Sequence, residues 1–177
     1  MELGVRFDRE AEIAVLGAVL IDNNTLHEVR PILRPDDFYD PPHGMVYEAM
    51  LRLSDRRSPI DIVTLAAELR RTKRFNVLGG AQMLGELTES ITESIATTAH
   101  VEAHARLVAD AARARKFRDL GAWLLARSAD PMVSVEALEK EAMGRIADLA
   151  RNTPRNALRS QAEVVYSLME RIETLGA

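Results

Sequence analysis

His100 and His104 stand four residues apart, so on a helix they would share one face and offer a metal two ligands. The zinc-protease pattern HExxH needs a glutamate directly after the first histidine. Val101 occupies that place, and Glu102 is rotated from His100 by roughly 200° at about 100° per residue. His27 and His43 supply no third ligand in sequence, and the chain has no cysteine. The pair therefore reads as a partly exposed helix face or an interface. Carboxylates able to work as an acid and base pair are Asp36, Asp37 and Asp61. Their contexts, RPDDFY and PIDIV, are those of a turn and a helix N-cap. Serine and histidine are too scattered to argue a triad. A phosphate-binding GxxxxGK[ST] loop requires Gly-Lys, because the lysine must reach the phosphates from the helix start. The three lysines follow Thr72, Arg115 and Glu139, so this loop is excluded, and GxGxxG is missing as well.

Two basic clusters remain. Arg106 to Arg118 holds five basic residues and one acid, Asp110. Of these Arg113, Arg115, Lys116 and Arg118 are candidates for contact with DNA phosphates or an acidic partner. Aromatics do not interleave with the charges, which favours a solvated helix face. Arg70, Arg71, Lys73 and Arg74 receive the same reading. The single tryptophan, Trp123, stands with Phe117, Leu120 and Leu124 and reads as packing within a hairpin or across a dimer.

The elements that must position these groups are helices. The chain has 177 residues, about one domain. Aromatics are only 5% while alanine and leucine abound, which disfavours sheet and favours helix. A net charge of −4 with 47% hydrophobic residues is ordinary for a globular protein. No run reaches the roughly 18 apolar residues of a membrane span, and the acidic start MELGVRFDREAE is no signal peptide. A cytoplasmic setting is expected. Residues 1–100 hold 11 basic and 16 acidic residues and residues 101–177 hold 12 and 11, so neither half is strongly basic.

Helical spacing marks 10–21, with Ile13, Leu16, Gly17 and Leu20 as a stripe and Asp8 as N-cap. A short helix is expected over 25–33, limited by Pro31 and Pro35. The next starts at Asp40 as cap with Pro41 at its first position, and buries Val46, Met50 and Leu53. Asp61 caps a helix striped by Ile62, Leu65 and Leu69. Gly79–Gly80 mark a turn before a short helix, AQMLGEL. TESI then occurs twice in succession over 88–95, a duplication that lengthens a loop or adds a turn of helix. Long helices follow over 98–126 and 135–150. The second carries Val135, Leu138, Ala142, Ile146 and Leu149 at steps of 3 and 4. Joined by a short loop with Pro131, the two make an antiparallel hairpin. RNTPRNALR is a polar linker, and Ser160 to Glu163 is a capping box opening a last helix with Val165, Leu168, Ile172 and Leu175 on one face. That stripe has no local partner and calls for another subunit or domain.

In order along the chain, EAEIAVLGAVLIDNNTL, RPDDFYDPPHGMVYEAMLRL, PIDIVTLAAEL, LGGAQMLGEL and TTAHVEAHARLV resemble the N-terminal domain of DnaB-type replicative DNA helicases. VVYSLMERIETLGA looks like that family's linker helix. The sequence departs from the family pattern at Ile13, at Met83, at Gly44, where a polar or basic residue is usual, and in the TESI duplication. The resemblance implies an all-α fold. A compact helical bundle over 1–97 is followed by a hairpin over 98–150 and by a linker with its helix over 151–177, leading to a RecA-like ATPase domain beyond. It implies a scaffold without catalytic residues or cofactor of its own, ATP and Mg belonging to the motor domain of an ATP-dependent 5′–3′ helicase. Hairpins would pair into dimers, and three dimers into a hexameric collar around DNA. The collar would dock the C-terminal domain of primase and, in some systems, a helicase loader. The candidate hairpin, dimer or primase interface is Phe117, Leu120, Trp123, Leu124, Val135, Leu138, Ile146 and Leu149. The candidate linker-helix interface is Val165, Leu168 and Ile172. The alternative is a stand-alone helical oligomerisation or regulatory protein of the replisome without motor activity.

Overall fold

The carboxylate of Asp8 accepts a hydrogen bond from the Ala11 amide at 2.9 Å and starts α1, Arg9–Ile21, as the capping chemistry requires. In the computed structural model, which describes residues 7–77, 79–92 and 98–151, seven α-helices and two 3₁₀ turns follow one another and no strand occurs among the described residues. The expected all-α class is the observed one.

α1 buries more than the expected stripe. Ala11, Ala14, Val15, Leu16, Ala18 and Val19 are all buried, whereas Ile13 and Leu20 are only half-buried. The reason is position: α2 (Thr25–Val29), α3 (Pro41–Asp55) and α5 (Ala81–Thr92) all pack on α1, so most of its circumference faces protein. Asn23 ends it. Its carboxamide donates to the carbonyls of Val19 and Ile60 and accepts from the Ile60 amide, each at 2.8 Å. α2 stops at Val29 rather than running to 33, because Pro31 has no N–H to continue the ladder and the chain closes into a turn.

A 3₁₀ turn over Pro35–Asp37 leads to α3. Asp40 sits at the N-cap position of α3 but its side chain makes no capping bond, which corrects the sequence expectation. It lies instead 3.9 Å from both Arg9 and His43. Val46, Met50 and Leu53 are buried as expected. Gly44 has a physical reason to be glycine: a Cβ there would stand 2.5 Å from the Pro35 carbonyl oxygen. α4, Ile62–Arg71, is capped by Asp61, whose carboxylate accepts from Val63 and Thr64 amides at 2.8 Å. Leu65 and Leu69 are buried and Ile62 is half-buried. The turn before α5 has φ of +74° at Gly79 and +47° at Gly80, where glycine alone is unstrained. α5 runs to Thr92, so the first TESI copy is helical.

After a 3₁₀ turn over Thr98–His100 comes α6, Val101–Ser128, and then α7, Val135–Arg151. The chain divides into two compact units, Met1–Lys116 and Phe117–Ala177. Within the first, Val101, Ala105 and Val108 of α6 join the core of α1–α5, and Ala112 is buried too. Within the second, the rest of α6 and α7 run antiparallel. Arg145 covers the Trp123 ring at 4.1 Å and Arg127 pairs with Glu141 at 3.4 Å, so the contacts advance by one turn on α6 and retreat by one turn on α7. Ser160 to Glu163, Val165, Leu168 and Ile172 lie outside the described residues.

Candidate functional site

The eight apolar residues singled out in sequence differ in exposure. Leu120, Trp123, Leu138 and Leu149 are half-buried, as is Ala142. Phe117, Leu124, Val135 and Ile146 are exposed, at 46%, 39%, 71% and 52%. Sequence missed three more exposed apolar side chains, Leu125, Met132 and Met143. For Leu125 the signal was present in the run WLLARS, which puts apolar residues on adjacent positions and hence on more than one face; Met132 and Met143 carried no such signal. Two amphipathic helices that use only part of their apolar surface on each other leave an apolar face outside.

The basic residues of α6 are largely committed. Lys116 Nζ pairs with Asp37 Oδ1 at 2.7 Å, and Arg115 donates to the Asp37 carbonyl at 2.6 Å while lying over the Tyr39 ring. The partner of these cations is thus an acidic turn of the same unit, 79 residues away for Lys116. Arg118 binds the neighbouring Asp119, and Arg113 also has a partner.

The least sequence-visible group is a buried polar cluster under the N-terminus of α3. Glu12 is 2% exposed. One of its carboxylate oxygens accepts from the Tyr39 amide at 2.6 Å; the other accepts from the Asp40 amide at 3.3 Å and faces His43 Nδ1 at 2.7 Å. A carboxylate oxygen only accepts, so the proton of this last contact sits on Nδ1. The pair is 31 residues apart, and no local spacing announces it. Phe7, Arg9, Glu12, Tyr39, Asp40 and Pro41 line a cleft of about 480 Å³, with the Phe7 and Tyr39 rings stacked at 4.7 Å. Its carboxylates hold amides, a histidine and Arg9, an arrangement that ties α1 to α3. Arg9 continues to Glu86 on α5 at 2.6 Å. Among the described residues no three His, Asp or Glu side chains gather as a metal site would need. His100 is exposed at the end of a 3₁₀ turn, and His104 is half-buried one turn on. No helix among the described residues is long and apolar enough to cross a membrane.

The comparisons with known proteins agree with one another. The family described as the DnaB-like helicase N terminal domain matches residues 6–110. Replicative DNA helicase DnaB of Rhodothermus marinus is 35% identical over 94% of this chain and 17% of its own length. That of Geobacillus stearothermophilus is 31% identical over 94% of this chain and 36% of its own length. The chain therefore spans only a sixth to about a third of these relatives. The crystal structure of the N-terminal domain of DnaB helicase from Mycobacterium tuberculosis superposes with a TM-score of 0.72 and 34% identity, covering 80% of this chain and 96% of that one. The N-terminal domain of DnaB helicase from Helicobacter pylori, described together with its interactions with primase, superposes at 0.59 with 24% identity over 68% and 91%.

Proposed function

We propose, on the premise that this chain belongs to the DnaB-like helicase N-terminal domain family, that it works as the scaffold end of a replicative DNA helicase and docks primase during DNA replication. Three regions divide the work: the helical bundle over 1–97, the hairpin over 98–150, and the linker and its helix over 151–177. Two hairpins pair about a two-fold axis through the exposed face of Phe117, Leu124, Val135 and Ile146, so that each residue is buried twice. Three such dimers close a collar through which DNA passes, and the C-terminal domain of primase binds on the hairpins. A helicase loader uses the same collar. Val165, Leu168 and Ile172 seat the linker helix on a neighbouring subunit's motor domain. ATP and Mg are used there, so the unwinding chemistry lies outside this chain, and the assembly works in the cytoplasm.

The observation that carries this reading is the row of exposed apolar side chains along a hairpin whose other apolar residues are only half-buried. Burying the outer half of each of these side chains contributes roughly 1 kcal/mol, and twofold symmetry doubles it. Sedimentation equilibrium of the chain, alone and with increasing primase C-terminal domain, tests it. A dimer that takes up primase supports the reading. A monomer at all concentrations that ignores primase refutes it.

A further inference from the structure

We propose that the C-terminal ends of α3 and α4 together form a binding site for the phosphate backbone of single-stranded DNA, resting on the reading above that the chain works on a DNA-bound helicase.

Residues 52–57 and 68–74 carry seven basic residues against two acids, in a chain whose net charge is −4. They are brought together by two shared carboxylates. Glu68 on α4 is held by Arg56 from the end of α3 and, in a two-pronged contact of 2.8 and 2.9 Å, by Arg71. Glu48 on α3 is held by Arg52 at 2.6 Å and by Arg74 from beyond α4. Each carboxylate thus carries two guanidiniums, so each trio keeps one positive charge and presents donors in fixed orientation. Planar guanidinium donors match phosphate oxygens in pairs. No carboxylate pairs with Arg57 or Lys73 among the described residues, and Arg70 lies over the Phe75 ring at 4.3 Å.

A second observation points the same way. Arg57 at φ +55° and Lys73 at φ +58° are the only non-glycine residues with positive φ among the described residues. They occupy equivalent places, just past the ends of α3 and α4, where glycine is the unstrained choice. A strained position held by a cation twice over marks a use for the charge. Complementing the two helix ends accounts for only part of it. Each end carries about half a negative charge, so the pair offsets about one of the excess cations.

The test is fluorescence anisotropy of a labelled oligothymidylate with the full chain, between about 50 and 200 mM salt. About four neutralised phosphates give a slope of log K against log salt near −3, at about −0.7 each. The double variant Arg57→Gly, Lys73→Gly removes two charges and relieves the strain of both turns, so its melting temperature should be no lower than that of the wild type. Its affinity at low salt falls about 10- to 100-fold and its slope to about −1.4. Unchanged binding by a folded double variant, or no binding by the wild type, overturns the proposal. So does loss of binding in Arg118→Gln alone, which would put the strand on α6. Polyglutamate competing as well as oligothymidylate would also overturn it, by making the patch a general polyanion surface. Primase titration of the same double variant separates the two readings: retained primase binding with lost DNA binding supports both, and primase binding without any DNA binding by the wild type removes this one alone.

Discussion

Replacing Glu12 by glutamine keeps the shape of the side chain and puts a donor where the structure has only acceptors. The carboxylate is 2% exposed and takes the Tyr39 amide at 2.6 Å, the Asp40 amide at 3.3 Å and His43 Nδ1 at 2.7 Å. Glutamine has one accepting oxygen, so whichever way it turns, its own N–H₂ faces at least one of these N–H groups. A buried donor left unmet costs about 1–3 kcal/mol, and more where the lost acceptor was charged. A loss of about 3 kcal/mol is therefore expected for Glu12→Gln, a large share of the roughly 5–15 kcal/mol that holds a domain together. Urea unfolding followed by far-ultraviolet circular dichroism reads it directly. With a slope of about 1–3 kcal/mol per M, the midpoint moves down by about 1–3 M. His43→Gln should cost a similar amount, and the double variant should recover about 1 kcal/mol or more as a coupling energy. A Glu12→Gln midpoint within about 0.3 M of the wild type, close to the precision of such extrapolations, would refute the reasoning.

Further predictions follow from single contacts. The hydrogen bonds from Arg71, assisted by Arg56, hold the Glu68 carboxyl down from 4.5 to about 2. A depressed carboxyl stabilises the fold fully above its unfolded value and loses that contribution as pH falls toward about 2. Since Arg56 and Arg71 are themselves 44% and 58% exposed, solvent screening leaves about 1 kcal/mol. Acid unfolding of Glu68→Gln should accordingly fall short of the wild-type curve at neutral pH and converge on it only as pH falls through about 2; parallel curves throughout would count against the account. Gly44→Ala must push the Pro35 carbonyl away from a 2.5 Å approach, and should lower stability by about 1–3 kcal/mol in the same urea assay. Lys116→Met leaves Asp37 without its 2.7 Å partner and should cost about 1 kcal/mol, seen as a lower thermal midpoint; no change would mean the contact is screened out.

What could be read in the sequence was local. Asp8 and Asp61 cap through amides two or three residues away, and Gly79–Gly80 turns on its own backbone, so spacing was enough. Asp40 looked the same in sequence but is drawn to Arg9 and His43, contacts that depend on how α1, α3 and α5 assemble. The wide burial of α1 failed to register for a related reason. Periodicity finds one buried face, and a central helix has several. The apolar seam of α7 was legible as a pattern, but not which of its residues end up half-buried and which exposed, because that depends on how α6 packs against it. Glu12 with His43, and Asp37 with Lys116, are 31 and 79 residues apart and carry no sequence signal at all. The order of five motifs did carry the family, which the match over residues 6–110 bears out.

The most direct measurement is a calorimetric titration of primase C-terminal domain into the wild-type chain and into Ile146→Glu, a charge placed on a side chain 52% exposed on the hairpin. At that exposure the variant should fold as the wild type does. The account predicts micromolar or tighter binding by the wild type, about 8 kcal/mol, and a loss of at least tenfold in the variant. Equal binding by both, or no heat from a folded wild-type chain, would contradict it.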